Sequence, residues 1–302
     1  MQQLTILDAD GTAFFLRELE YVKAKSYDVL YQDLIARDLF PVSNEAPEGV
    51  DTITYHTYDH VGMAKLIHSY AKDLPRVDIS GKETTIKVYP GGSAFGYSRD
   101  EILKSQMTGL PLDQRRANAS QRAFEELVDD IAWNGEAATG LIGVLSDPNV
   151  PLTNSITVGG WLAATPDEII ADVNAMVGTY NESTRMKEKS NTLLVPVSEY
   201  NHINGTPRAS NSDTTILQFI LKNVEGVDNI VACNELSDIG VSGSRLVILY
   251  DKNPDKLQLE IPKELEFLPP QEKGLELEVN TWGKIGGVNI YYPLSMLKMD
   301  GV

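Results

Sequence analysis

The chain has 302 residues, of which 42% are hydrophobic and 23% charged, with a formal net charge of −17 at pH 7. This composition is that of an ordinary folded protein, with enough apolar material for one large domain or two smaller ones. The negative charge argues against a nucleic-acid-binding or membrane-surface protein, because such proteins recognise anionic partners through basic patches; it suits a soluble acidic protein or one that encloses DNA without adhering to it.

The first motif in the chain is LTILDADGT at residues 4–12, which resembles the nucleophile loop of haloacid-dehalogenase-type phosphatases. That resemblance implies that Asp8 accepts a phosphoryl group and that Asp10 acts as acid and base. A full parallel strand should precede the first aspartate, so that its carboxylate lies at the carboxyl edge of a sheet. Only a short apolar run precedes it here, and no convincing acidic pair for magnesium follows later. We therefore favour the interpretation that Asp10 or Thr12 caps a helix.

The next segment predicts a helical arm over residues 12–38. Phe15, Leu19 and Val22 recur at helical spacing, and the pattern ends at LFPVSNEAPEGV, where proline and glycine break a helix.

Residues 51–97 predict extended structure. DTITYHTY alternates between apolar and polar residues, and TTIKVYPGG is β-branched and closes on a turn. A two-stranded excursion with so little apolar material is marginal by itself, so we expect it to lie against a partner surface.

The strongest helix prediction covers residues 111–134 and ends before Gly135. The apolar residues of one face are predicted to be buried: Phe124, Leu127, Val128 and Ile131. The acids fall on the opposite side: Glu125, Glu126, Asp129 and Asp130. Because the helix contains no histidine, a solvated or subunit-facing acidic stripe is favoured over a metal site or an acid–base pair.

The charges of this helix run against its dipole, since Arg115, Arg116 and Arg122 lie towards the amino end and the acids towards the carboxyl end. An Arg122–Glu126 pair one turn apart would recover a few tenths of a kcal/mol. We interpret the reversed polarity as a sign that neighbouring molecules meet these charges.

The rest of the chain predicts mixed structure. Thr165 and Pro166 begin a second helix that runs to about Lys189. A strand TLLVPVSEY, a helix TTILQFILKNV, and the strands NIVAC, RLVILY and KLQLEI follow, and further strands separated by a glycine-rich turn complete the sequence. Helices combined with mostly antiparallel strands predict an α+β fold.

No catalytic, metal or cofactor site is predicted. The histidines His56 and His60 stand about 13 Å apart if the segment is extended, which is too far for one metal ion. PGGSAFGYS lacks the lysine of a phosphate loop, and no nucleophile elbow occurs. The single cysteine, Cys233, excludes an intrachain disulfide framework, and its apolar neighbours predict a buried thiol. No membrane-spanning segment or signal sequence is predicted, so we expect a cytosol-like compartment.

QRRANASQRAFEELVDDIAWNGEAATGLIGVLSDPNVP resembles the long spine helix and following loop of tailed-phage major capsid proteins and of encapsulins. RELEYVKAKSYDVLYQDLIARDLFPV resembles the N-terminal arm of one capsid branch, and the order of elements agrees over essentially the whole chain. The resemblance implies an α+β Hong Kong 97-like fold with an N-terminal arm, an extended β loop, a peripheral domain built on the spine helix and an axial domain.

Carried onto this sequence, the implied parts are the arm at 1–50, the extended loop at 51–95, the peripheral domain at 96–190 plus 265–302, and the axial domain at 191–264. The implied function is that of a shell subunit, not an enzyme, whose pentamers and hexamers form an icosahedral phage head around double-stranded DNA. An encapsulin-type compartment subunit is the alternative, and the phosphatase a remote one. The chain would be part of the virion and would assemble in the cytoplasm of a bacterial host.

The expected partners are copies of the chain itself, with scaffold, portal and decoration proteins as further candidates and with enclosed DNA that is not specifically bound. The sequence starts almost at the arm, so we expect a separate scaffold protein or none. The candidate subunit contacts are Lys82, Lys87, Arg115, Arg116, Arg122, Glu125, Glu126, Asp129 and Asp130. Lysine–asparagine cross-links, which join subunits in some capsids, are not carried over because no partner asparagine can be matched.

Overall fold

The computed structural model describes residues 32–64, 66, 76–108, 115–209 and 211–302. All of these except residues 32 and 33 belong to one compact unit, Leu34–Val302. The helices are α1 (Ala36–Leu39), α2 (Arg99–Thr108), α3 (Arg115–Trp133), α4 (Pro166–Thr184), α5 (Val197–Gly205) and α6 (Ile216–Asn223). The strands are β1 (Val42–Ser43), β2 (Thr52–Val61), β3 (Asp78–Lys87), β4 (Tyr89–Gly91), β5 (Ala94–Ser98), β6 (Gly135–Glu136), β7 (Leu141–Ile142), β8 (Leu152–Asn154), β9 (Thr192–Pro196), β10 (Asn229–Cys233), β11 (Leu246–Tyr250), β12 (Leu257–Glu260), β13 (Lys263–Phe267), β14 (Gln271–Lys273), β15 (Glu276–Ile285), β16 (Gly287–Ile290) and β17 (Met296–Asp300).

The described strands form three larger sheets and two hairpins. The first sheet is mixed and has the order β10-β9-β11-β17-β8, in which β10 runs parallel to β9 and β8 parallel to β17. In the second sheet the long strand β15 pairs with β13, β14, β4 and β5. The third sheet has the order β1-β12-β16, and β2–β3 and β6–β7 form the hairpins. Helices and mostly antiparallel strands confirm the predicted α+β class.

Two buried cores hold these layers together. In the first core, the apolar face of α3 packs against α1 and strands β12 and β16, and the Phe40 ring lies edge-on to Trp133 with centroids 5.3 Å apart. In the second core, α4 and α6 pack against the mixed sheet around the fully buried side chains of Trp161, Met176 and Tyr180. Helices α3, α4 and α6 therefore each present one apolar face to a sheet.

Helix α3 lies directly against the backbone of β4 and β15. A Cβ atom at Gly283 would stand 2.6 Å from the Phe124 ring, and one at Gly91 would stand 3.0 Å from the Leu127 side chain. Glycine is required at Gly283 because any side chain there would hold the helix away from the sheet. Leu127 was predicted to be buried with the rest of its face, but it is 36% exposed because it lies at the rim of this contact.

The predicted helices and strands are largely confirmed, with three corrections. Helix α4 begins at Pro166 as predicted, behind a capping box formed by Thr165 and Glu168, but it ends at Thr184 rather than near Lys189. The strand predicted over TLLVPVSEY is wrong in its second half: Pro196 has no N–H with which to continue a ladder, and α5 begins immediately after it. Most of the predicted arm lies outside the described residues, and within residues 32–38 the helix begins only at Ala36.

Core packing crosses the predicted domain boundaries. Helix α4, predicted to belong to 96–190, shares the second core with β9 and β11 of the segment 191–264. Strand β17 was predicted to belong with residues 96–190 in the peripheral domain, but it lies between β11 and β8 in the mixed sheet. The four-part division remains a prediction, and the packing favours grouping α4 and β17 with the mixed sheet.

Candidate assembly surfaces

Arg37 joins three separate parts of the chain. Its Nε atom lies 2.7 Å from Glu125 of α3, and its Nη1 and Nη2 atoms each lie 2.9 Å from a carboxylate oxygen of Glu264 on β13. The planar guanidinium can hold both carboxylates at once. Hydrogen bonding to Glu264 is the largest of the effects that raise the pKa of Arg37. Sequence reasoning found Glu125 but missed Arg37 and Glu264, because their partners are distant in sequence.

Asp129 corrects the predicted acidic stripe. It was placed on the exposed side of α3, but only 8% of it is exposed, because α1 covers that side of the helix. Its Oδ1 atom accepts a hydrogen bond from the backbone N–H of Ala36 at 2.9 Å, so it ties the start of α1 to α3. Burial raises the pKa of Asp129. Asp129 is therefore a structural residue inside its own subunit.

The remaining charges of α3 are largely exposed, and most of them are paired within the subunit. Arg122 donates to Glu126 at 2.8 Å, which confirms the predicted pair one turn apart. Arg116 binds Glu101 of α2 at 2.9 Å and lies over the Tyr97 ring. Asp130 accepts a hydrogen bond from the Asn134 side chain at 2.7 Å, and Arg115 is exposed at the start of the helix. The first helical turn contains no acid and the last turn no base, so the reversed polarity is present in the folded helix.

The β2–β3 hairpin is a long and largely exposed element. Its ten pairs run from Thr52 opposite Lys87 to Val61 opposite Asp78, and exposed side chains occupy most of both strands. The predicted contact residue Lys82 lies opposite Thr57 and is exposed, as is Lys87. This arrangement confirms the thin hairpin that the alternating sequence predicts.

Two contacts fix the root of this hairpin. The Tyr55 ring stands edge-on to Tyr291 with centroids 5.0 Å apart. The buried Lys284 amine donates to the carbonyl oxygen of Val50 at 2.9 Å and to the carboxylate of Asp51 at 3.2 Å. Beyond this root, a cleft of about 640 Å³ separates one face of the hairpin from β16 and the β6–β7 turn. The hairpin is thus fixed to its own subunit at its root, and farther out the cleft separates it from the rest of the subunit.

The described residues contain neither a group of three side chains suited to hold a metal ion nor a helix long and apolar enough to cross a membrane. Asp8 and Asp10 lie outside the described residues, so the structure does not place the phosphatase-like motif. The Cys233 thiol is buried, as predicted, and burial raises its pKa.

Comparison with known proteins agrees with this architecture. The sequence model of a family described as "Major capsid protein" matches residues 62–302. Among solved structures, the capsid of Myoviridae phage XM1 matches with a TM-score of 0.82 and 16% identity, over 99% of this chain and 100% of that one. The capsid of an empty GTA particle matches at TM-score 0.66 and 9% identity, over 99% of both chains. A virus-like particle from Pyrococcus furiosus matches at 0.53 and 14%, over 87% of this chain and 90% of that one. None of the curated protein sequences matches this chain.

Proposed function

We propose that this chain, which belongs to the major capsid protein family, is the shell subunit of a tailed phage, and that its copies assemble into an icosahedral head enclosing double-stranded DNA. The observation that carries the proposal is the β2–β3 hairpin. It is long, bound to its own subunit mainly at its root, and too poor in apolar contacts to be stable by itself. A surface on another copy would supply the missing contacts.

The exposed side chains of this hairpin support an intersubunit role. Met63, Leu66, Val77 and Ile79 are exposed apolar residues around its outer end, and Tyr58 stands on one face. Isolated apolar side chains are common on protein surfaces, but a cluster at the end of an extended element favours burial by a partner. We propose that this end lies on a neighbouring subunit, with Lys82 midway along the hairpin and Lys87 at its root as further contacts.

The charged residues of α3 fit the same proposal with one exception. Arg115, Arg122, Glu126 and Asp130 remain proposed contacts, because they are at least partly exposed. Arg116 and Glu125 also reach the surface while they bind residues of their own subunit. Asp129 is withdrawn, since it is buried against α1.

The four-part division is also proposed here, with boundaries revised to follow the packing. The arm and the extended loop keep their predicted limits. The axial part comprises α4, α5, α6 and the mixed sheet, including β8 and β17, whereas the peripheral part comprises α2, α3 and the strands that pair with β15. Assembly would then rest on many weak contacts, each repeated around closed rings.

A compartment shell without a phage genome is the second candidate, because the virus-like particle from Pyrococcus furiosus shares the fold. Both candidates make the chain a structural protein rather than an enzyme. The scaffold, portal and decoration proteins, the host cytoplasm as the place of assembly, and the enclosed DNA all belong to the first candidate. Genes for a portal and a terminase beside the gene for this chain would favour the phage head.

The testing experiment is electron microscopy of the purified protein over a range of salt and protein concentrations. Hollow closed particles of uniform size are expected. A monomer that stays unassembled under every condition would contradict both candidates.

A further inference from the structure

The loop between β8 and α4 displays apolar side chains to solvent. Val158 is 97% exposed and Ile156 is 69% exposed, and Leu162 is also exposed. The stretch 148–166, which contains this loop, has no charged residue and no histidine, although 23% of the chain is charged. A long uncharged stretch that leaves its apolar side chains in water is typical of a surface that another protein covers.

A buried carboxylate fixes the conformation of this loop through hydrogen bonds to residues 155–161. Asp172 of α4 is fully buried and accepts four hydrogen bonds: from Ser155 Oγ at 2.7 Å, Ile156 N at 2.8 Å, Thr157 N at 3.3 Å and Trp161 Nε1 at 2.9 Å. Gly159 and Gly160, with φ of 93° and 80°, make the turn between these anchors. The apolar tip is therefore preorganised, so a partner that covers it loses little conformational entropy in ordering it.

A mainly apolar groove lies beside the same edge of the mixed sheet. Within the described part of the chain, β8 pairs with β17 alone, so its other side is open. The backbone N–H of Val241 donates to Asp300 at 3.0 Å, which places the 239–241 turn next to β17. A groove of about 350 Å³ lies between this turn, β8 and β17, and its apolar lining residues are Leu145, Pro148, Val150, Leu152, Ile239, Val241 and Leu246. Three largely buried charged residues, Asp147, Lys298 and Asp300, also line it.

We propose that the tip formed by Ile156, Val158 and Leu162 enters the groove beside β8 and Val241 on a second copy of this chain. This inference rests on the proposed function, since it identifies one contact through which subunits join. The tip and most of the groove lining are apolar, and both occur on the same molecule, so copies can meet through them without any other protein.

The net charge of the chain argues for the same occupant. Copies that each carry −17 repel one another, so they can approach most closely where their surfaces lack charge. The tip has no charged residue, and the charged residues that line the groove, Asp147, Lys298 and Asp300, are only 8%, 6% and 6% exposed, so the groove offers the tip a mainly apolar surface. An open strand edge such as that of β8 is in addition a common site of protein association.

The first test changes the tip without disturbing the fold. Val158→Asp introduces a charge at a position so exposed that the unassembled subunit should unfold at the same urea concentration as the parent. The critical concentration for particle formation should rise about tenfold or more, because the new carboxylate would be buried in a mainly apolar groove whose lining already includes Asp147 and Asp300. Met186→Asp is the matched control: it introduces the same charge at another exposed apolar residue, whose positive φ aspartate tolerates, and it should assemble as the parent does.

The second test identifies the groove. Copies carrying Val158→Cys are mixed with copies carrying Val241→Cys under mild oxidation, and each variant is also oxidised alone. The mixture should form disulfide-linked dimers far more readily than either variant alone, while the native Cys233 is buried and does not interfere.

The possible outcomes separate this contact from the proposed function. Val158→Asp particles that form at the parental concentration, or a mixture that cross-links no better than its components, would overturn the tip-and-groove contact and leave the shell function intact. A parent protein that never forms particles would instead contradict the shell function itself.

Discussion

Replacing Asp172 by asparagine should destabilise the subunit strongly, although the two side chains have nearly the same size. The carboxylate accepts four hydrogen bonds from the 155–161 loop, two of them from backbone N–H groups. An amide offers a single acceptor oxygen and turns an N–H group towards donors, so about two of these bonds are lost. Since a hydrogen bond to a charged group contributes about 1.5–3 kcal/mol, the free energy of unfolding should fall by about 3–6 kcal/mol.

Urea unfolding of the unassembled subunit, followed by tryptophan fluorescence, measures this loss directly, because Trp161 is one of the donors. Asp167→Asn is the matched control, since Asp167 lies in the same helix and is exposed. A loss below about 1 kcal/mol for Asp172→Asn, or one equal to that of the control, would refute the reasoning.

The pH dependence of the same variant provides a second check. Burial acts to raise the pKa of Asp172, but the hydrogen bonds from Thr157, Ser155 and Trp161 outweigh it, and the pKa lies below its usual value. The carboxylate therefore contributes stability above its unfolded pKa of about 3.9, and this stability is lost as the pH falls through the lower folded value. The difference between the parent and the variant should accordingly shrink in strong acid.

Three further predictions concern other parts of the subunit. Gly283→Ala should cost about 1–3 kcal/mol of unfolding free energy, because the new methyl group overlaps the Phe124 ring, whereas Gly178→Ala, which meets no neighbour, should not destabilise. Arg37→Met should cost about 1 kcal/mol at low salt and less at high salt, because both of its carboxylate partners are partly exposed; a loss independent of salt would contradict an ionic clamp. Burial raises the pKa of Glu199, so this residue makes the subunit less stable as the pH rises from about 4.3 through the folded pKa. Glu199→Gln should therefore flatten the dependence of the urea unfolding free energy on pH in that range. An unchanged pH dependence in the variant would contradict this role of Glu199.

The elements that could be predicted from sequence are those whose pattern is local. Helix α3 repeats its apolar residues at helical spacing, α4 begins with proline and acids, and the hairpin alternates along both strands. Each of these patterns depends on residues close together in the sequence, so it predicts the element whatever the rest of the fold is. The family resemblance then supplied the order in which the elements pack.

The candidate surfaces could be predicted less well, because they depend on contacts between distant residues. A helical wheel places Asp129 opposite the apolar face of α3, and only the presence of α1 shows that this side is also covered. The loop carrying Ile156 and Val158 has a composition that would equally suit a buried turn. Its exposure follows from the packing of Trp161 and Asp172 beneath it, which sequence periodicity does not reveal.

The order of strands in the mixed sheet has a consequence for synthesis. Strand β8 is synthesised early, and its partner β17 is not synthesised until about 140 residues later. The strands that lie between β8 and β9 in the sheet, β17 and β11, are both made after β8. Until β17 is inserted, β8 has no ladder to join, and the edge beside the groove does not exist. Prematurely terminated chains that lack residues 296–300 therefore cannot present this surface, and they should be excluded from growing particles instead of blocking them.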